Sequence, residues 1–237
     1  IFLKQEFFFH SWYQTHGQPF IFQLKSVLLH INNLNIKRPR MVILHIETST
    51  NVCSVALSEA SKCIFKTSNF DGMNHAALLS LFIEEALSSL KKENKKLDAV
   101  AVSSGPGSYT GLRIGVSTAK GLCYGLGIPL IAVSTLETMT QAALLSVGTS
   151  DHFLFAPMID ARRMEVYTAF YDAQLQKTRE ISADIIDENS YRETLASQNV
   201  YFFGNGAEKC KAVITHPNAH FIDNIVLNEI IKEKINF

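Results

Sequence analysis

None of the four cysteines in this 237-residue chain (Cys53, Cys63, Cys123 and Cys210) belongs to a C-x-x-C pair. That excludes a zinc knuckle and a disulfide-stapled secreted scaffold, and it fits a reducing cytoplasm. Charge of one sign is also missing. The chain carries 22 Lys and Arg against 22 Asp and Glu, so it has no overall basic character of the kind a dedicated nucleic-acid-binding domain shows. No stretch approaches the roughly 18 uninterrupted apolar residues of a membrane span. The N-terminus sets Lys4 and Glu6 among its phenylalanines where a signal peptide would have a clean apolar core. A soluble, cytoplasmic protein with no membrane contact is therefore expected. With 47% hydrophobic residues and no solenoid-length repeat, the chain is long enough for one large domain or two small lobes.

The first forty residues differ from the rest. They hold 6 of the 16 phenylalanines, the single Trp12 and a net charge of +4, and no methionine precedes Met41. A strand pattern opens at Met41. Residues 1–40 are accordingly expected to be upstream or non-native sequence.

From Met41 onward the periodicity is legible. Val42–Glu47 is an apolar run suited to a buried strand, Thr48–Asn51 has turn chemistry, and Cys53–Ser58 alternates as a second strand, with a third candidate at Ile64–Thr67. Leu79, Phe82, Ile83, Ala86, Leu87 and Leu90 recur at helical spacing. Asp98–Ser103 reads as a strand leading into a glycine-rich turn. Beyond that turn, Leu112, Val116, Ala119, Cys123 and Leu126 mark a helix, with Ser108 or Thr110 as its N-cap and with Gly127 and Pro129 closing it. Ile128–Val133 is a strand, and Ser134-Thr-Leu-Glu137 reads as the capping box of a helix running to about Ser146. Strands are expected at Phe153–Ile159, Glu165–Tyr171, Val200–Phe203 and His220–Ile222, and helices at Glu188–Ala196, Ala207–Ile214 and Val226–Ile235. Two β-then-α halves, 41–150 and 151–237, point to an α/β protein of two related lobes.

Seven of the twelve glycines fall between Gly105 and Gly127. A glycine-rich strand-to-helix turn aims backbone N–H groups and a positive helix end at whatever lies above it. The spacing is nevertheless wrong for both common phosphate loops: Gly111 is followed by Leu112 and Arg113 instead of Lys and Ser or Thr, and Thr110 stands where a Rossmann fingerprint needs its third glycine. Gly111, Gly115 and Ala119 lie four apart, as do Gly121 and Gly125, which makes flat stripes for close approach of another helix or backbone. Each helical glycine costs about 1 kcal/mol relative to alanine, so so many of them need a packing reason. Close packing is the preferred reading, and phosphate binding is the alternative.

Other constellations carry less chemistry. Pro217 between His216 and His220 breaks any helix that would align the two rings for a metal. His75 opens a helix without a neighbouring ligand, and the centre of Gly107-Ser-Tyr-Thr-Gly111 is Tyr109, so no nucleophile elbow is present. Arg113, Arg162 and Arg163 are available for a carboxylate or phosphate, although surface ion pairs are the commoner use of arginine. Glu47-Thr-Ser-Thr50 resembles the acidic strand end and hydroxyl turn of actin-like and sugar-kinase ATPases, with glutamate replacing the usual aspartate.

Ile43-Leu-His-Ile-Glu-Thr-Ser-Thr50, Gly105-Pro-Gly-Ser-Tyr-Thr-Gly-Leu-Arg-Ile-Gly115, Val133-Ser-Thr-Leu-Glu137 and Ile159-Asp-Ala-Arg-Arg-Met-Glu-Val-Tyr167 occur in order across about 125 residues. In this the chain resembles the bacterial TsaB (YeaZ) proteins. The resemblance implies an α/β, two-lobed actin/Hsp70/sugar-kinase-like (ASKHA) fold. It also implies a non-catalytic scaffold that binds and activates TsaD in forming threonylcarbamoyladenosine in tRNAs reading codons that start with A. ATP and metal would sit on partner proteins, TsaD and the ATPase TsaE, with no cofactor on this chain alone. The tRNA would be met only through the complex, and the chain alone would be able to self-associate. TsaD-type members carry an H-x-x-x-H metal pair where this chain has Thr135 and Met139. The family's partner surface would fall on the helices near 75–90 and 110–126, through Leu79, Phe82, Ile83, Leu112, Gly115 and Ala119, and Gly115→Leu would then affect partner binding more than folding. After Ile225 the chain ends sooner than the family's longer helical tail. The alternatives are a nucleotide-dependent enzyme of the actin/sugar-kinase class and a metal-dependent peptidase.

Overall fold

A computed structural model describes residues 41–60, 62–70, 74–147 and 153–223. They form two compact units that divide between Thr135 and Leu136. The first contains β1 (Val42–Glu47), β2 (Cys53–Glu59), β3 (Lys62–Asn69), α1 (His75–Lys92), β4 (Ala99–Gly105), α2 (Tyr109–Leu126) and β5 (Leu130–Ser134). Its sheet runs β3-β2-β1-β4-β5, with the β1–β3 meander antiparallel and β4 and β5 added in parallel. Parallel neighbours require crossovers, and α1 and α2 lie in those connections.

β1 is buried along its whole length, as the continuous apolar run demands of a central strand. Val42, Leu44 and Ile46 pack with Leu79, Phe82, Ile83, Ala86 and Leu90 of α1 and with Ala119 and Cys123 of α2. Ile43 joins Ala99, Ala101, Ile131 and Val133 on the other face, where His45 Nε2 lies 2.7 Å from Ser58 Oγ. Burial pushes the His45 imidazole down to about 3, so the ring is neutral at ordinary pH. Helix ends follow the sequence signals. Ser108 caps α2, its Oγ accepting from Gly111 N at 3.3 Å, and Gly127 closes the helix in the left-handed conformation (φ 64°).

The second unit contains α3 (Thr135–Val147), β6 (Phe153–Asp160), β7 (Glu165–Tyr171), β8 (Lys177–Ile185), α4 (Arg192–Ser197), β9 (Asn199–Phe203) and β10 (Ala219–Ile222), in sheet order β10-β9-β6-β7-β8. It repeats the plan of the first unit, an antiparallel three-strand meander extended by two parallel strands. Leu136, Met139, Ala143 and Leu144 of α3 pack on Phe155, Ile159 and Phe203, whereas the opposite face gathers Met158, Phe170, Leu195, Val200 and Phe202. The lobe boundary drawn near residue 150 from the sequence lies on the far side of α3 from this division.

Three sequence expectations change. β8 was not anticipated, because it is an edge strand rich in polar residues whose pairing with β7 is interrupted by bulges. An anchor holds it: Arg179 grips Asp184 through two bonds of 2.7 and 3.0 Å, and Tyr191 Oη donates to Asp184 Oδ2 at 2.8 Å. The helix expected at Glu188–Ala196 is the short α4, and that at Ala207–Ile214 is a single 3-10 turn at Glu208–Cys210, held between the Gly204–Gly206 loop and the turn at Pro217. The 226–235 helix and the 1–40 segment lie outside the described residues.

Phe202 is fully buried and packs against Phe170, Tyr191 and Phe221. Phe202→Ala should remove about 3–5 kcal/mol of stability, read as a lower urea midpoint with little change in slope.

Candidate functional site

The glycine-rich turn and the β1–β2 turn meet at the C-terminal ends of the parallel strands, where sheets of this kind place their ligands. Glu47 ends β1 as a buried carboxylate. Its Oε1 accepts from Ser49 N at 2.6 Å, and its Oε2 accepts a short hydrogen bond from Ser103 Oγ. Burial, and next the negative charge of Glu47, push the neighbouring Cys53 thiol up to about 11. Glu47 thus fastens β1, its own following turn and β4 into one piece.

The start of α2 is filled from within the chain. Ser108 N donates to the carbonyl of Ser49 at 2.7 Å, so a backbone carbonyl sits where an anion would be sought. A Cβ on Gly107 would come 2.4 Å from that same oxygen, one on Gly111 2.0 Å from Thr48 O, and one on Gly115 2.2 Å from Thr48 Oγ1. The close approach inferred from the glycine stripe is present, and the partner is the β1–β2 turn itself. Thr48 and Ser49 are buried beneath it, their hydroxyls without a hydrogen-bond partner among the described residues.

This geometry revises the expected partner surface. Leu79, Phe82 and Ile83 are buried in the core of the first unit, Ala119 and Gly115 are buried on the inward face of α2, and Leu112 is half-buried. The reason is the helical period: the positions that recur every three to four residues are those that cover the sheet. Gly115→Leu would consequently strike Thr48 and disturb folding first, contrary to the expectation drawn from the family resemblance. The outward face of α2 is a different stripe, with Arg113, Ser117, Lys120, Gly121, Tyr124 and Gly125 exposed. A Cβ on Gly121 or Gly125 would meet nothing within 4 Å. Tyr124 is 93% exposed, Leu126 53%, and Leu81 on the adjacent α1 49%.

The remaining candidates separate. Thr135 and Met139 lie one turn apart on α3, both buried and neither able to supply an imidazole. His216 accepts from Asn218 N in a turn, while His220 of β10 pairs with Asn199 of β9, so the two rings serve different elements. His75 Nε2 lies 3.1 Å from Thr50 O, tying α1 to the β1–β2 turn, and the Arg113 guanidinium sits 4.0 Å above the Tyr109 ring. No cluster of three His, Cys, Asp or Glu occurs among the described residues. No helix among them is long and apolar enough to cross a membrane. Glu137, in the first turn of α3, has its carboxyl raised to about 7 by burial, against a partial pull downward from Lys177.

A family model described as "TsaD: tRNA N6-adenosine threonylcarbamoyltransferase" matches residues 71–232. The tRNA threonylcarbamoyladenosine biosynthesis protein TsaB of Buchnera aphidicola subsp. Schizaphis graminum is 30% identical over 207 residues, covering 82% of this chain and 97% of that protein. The chain belongs to the TsaB family. TsaB of Bacillus subtilis is 37% identical over 133 residues, which is 55% of each chain. The match therefore spans about half the length of this and several other curated TsaB relatives. YeaZ from Pseudomonas aeruginosa superposes with a TM-score of 0.62 at 23% identity over 77% of this chain and 84% of that one. The fold is thus the α/β arrangement of the YeaZ structure, built here as two units that each carry a five-stranded mixed sheet.

Two outcomes distinguish packing glycines from surface ones. Gly111→Ala should lower the thermal midpoint steeply because its Cβ meets backbone, whereas Gly121→Ala should raise stability by up to about 1 kcal/mol. Glu137 yields a pH test. A carboxyl whose folded pKa exceeds its unfolded value destabilises the fold once pH rises above the unfolded value, and the full cost is reached above the folded one. Glu137→Gln should leave stability unchanged near pH 4 and raise it by up to about 3 kcal/mol at pH 8, measured by urea unfolding at the two pH values.

Proposed function

We propose that this chain is a non-catalytic scaffold that binds and activates a TsaD-like transferase in the formation of threonylcarbamoyladenosine in tRNAs reading A-starting codons. In this reading a TsaE-like ATPase completes the assembly, and ATP and metal reside on the partners. The observation that carries the proposal is the outward face of α1 and α2. On α2, Gly121 and Gly125 leave open ground next to exposed Tyr124, in a stripe that also carries exposed Arg113, Ser117 and Lys120, so a partner helix can approach the aromatic ring closely; Leu126 at the end of α2 and Leu81 on α1 are exposed as well. The internal occupation of the α2 start by Thr48 and Ser49, with both Glu47 oxygens already bonded, speaks for a structural role for this glycine loop over the nucleotide-dependent alternative. Thr135 and Met139, standing where TsaD-type members carry imidazoles, weigh against the peptidase alternative.

The chain mixed with the TsaD-like protein of its own organism should elute as a heterodimer in size-exclusion chromatography with light scattering. Gly121→Leu combined with Tyr124→Ala should weaken that complex by about tenfold or more, equivalent to about 1.4 kcal/mol, with the thermal midpoint of the free chain retained. A folded chain that forms no complex, or a double variant that binds as wild type does, would sink the reading. A homodimer that persists at the expense of the heterodimer would assign the face to self-association instead.

A further inference from the structure

We infer that the β6–β7 hairpin is a phosphate-gripping element through which this chain touches the backbone of tRNA. The inference rests on the tRNA-modification reading above but concerns a different surface, in the second unit. Arg162 and Arg163 stand in succession at the hairpin tip, both exposed. Both adopt left-handed backbone conformations, with φ of 72° and 44°. Tight hairpin turns ordinarily require this conformation, and glycine or asparagine would occupy it more cheaply than the arginines that stand there.

The surroundings hold the tip rigid and leave its guanidinium groups available. Asp160 Oδ1 accepts from Arg162 N at 3.0 Å and from Lys209 Nζ through a short ion pair. Lys209 also donates to Glu165 O at 2.7 Å and to Arg162 O at 3.4 Å. Asn205 Oδ1 accepts from Asp160 N at 3.1 Å, while Ala161 N and Glu165 N close the turn at 3.0 Å each. The Lys209 hydrogen bond, foremost among several influences, keeps the Asp160 carboxyl below its ordinary value. Asp160 is thereby compensated by Lys209, and none of the ion pairs among the described residues involves Arg162 or Arg163. Glu165 lies at the base of the hairpin, so Asp160, Arg162, Arg163, Glu165 and Lys209 together carry a modest positive excess.

Two adjacent planar guanidinium groups suit bidentate contact with phosphate oxygens. A hairpin tip is convex, unlike the concave pockets that enclose small ligands, so the ligand it fits is a phosphate on an extended backbone. An overall neutral chain can still contribute such a local contact to a larger assembly.

The test titrates an unmodified, end-labelled tRNA transcript that reads an A-starting codon, followed by fluorescence anisotropy at several salt concentrations. It uses the full chain alone and the chain mixed with its TsaD-like partner. Arg162→Ala with Arg163→Ala should lower affinity by about tenfold at about 50 mM salt and reduce the salt slope by about 1–2, as one or two phosphate contacts are lost. Arg162→Gly with Arg163→Gly should lose tRNA affinity equally while its thermal midpoint is no lower than wild type, a combination that a merely structural role would not produce. Equal affinity and slope in wild type and variants overturns the inference, as does absence of tRNA binding from both samples. Loss of partner binding with an unchanged salt slope also overturns it, because the arginines would then grip a protein. A hairpin effect on tRNA without any heterodimer would leave the inference standing and remove the scaffold reading.

Discussion

The first unit depends on the contact between the β1–β2 turn and the start of α2. Thr48 and Ser49 press their carbonyls and side chains into ground that exists only because residues 107, 111 and 115 carry no Cβ. Glu47 makes the contact rigid by bonding the turn through Ser49 N and the neighbouring strand through Ser103. Backbone placed this close to a helix tolerates no added carbon, since a well-packed interior cannot shift by an ångström or more without forcing other side chains off their rotamers. The strand, turn, second strand and helix therefore move as one body, which sets where α2 lies and which of its faces is left outside.

That division of α2 into two faces separates the residues that serve the fold from those left exposed. Gly111, Gly115 and Ala119 point inward and serve the fold. Gly121 and Gly125 lie on the solvent side, beside Tyr124 at 93% exposure. Glycines on an exposed helix surface weaken the helix without any compensating contact inside the chain, and the aromatic ring next to them is of the kind enriched where partners bind. The same separation appears in the second unit. There Asp160 and Lys209 hold a hairpin in shape while the arginines at its tip stay outside the ion-pair network.

Most of the order of elements was legible in the sequence. β1, the meander, both long helices and the strands at 153–160 and 165–171 carry strong periodicity, and α2 has its cap at Ser108 and its stop at Gly127 where the local signals put them. β8 was not legible, because an edge strand bonded on one side can be polar along most of its length and its bulges break the alternation. The helical candidates at Glu188–Ala196 and Ala207–Ile214 shrank because windows of eight or nine residues hold too few turns to outweigh loop geometry, and the second lies between Gly206 and Pro217. Most of the residues expected at the interface are buried in the core for a related reason. Leu79, Phe82, Ile83 and Ala119 were conspicuous through a hydrophobic period, and such a period marks the face turned toward the sheet.

By itself, the sequence determined the class of fold, the two β-then-α halves and the presence of a close packing site in the glycine stripe, because these follow from local period, capping residues and the absence of Cβ atoms. Only the tertiary structure decided what fills that site, which glycines remain outside, and that the backbone of Arg162 is held by the Asp160–Lys209 pair while neither arginine guanidinium enters an ion pair among the described residues. Each of those depends on distances between residues as far apart in the chain as Thr48 and Gly111 or Asp160 and Lys209, and no local pattern encodes such a distance.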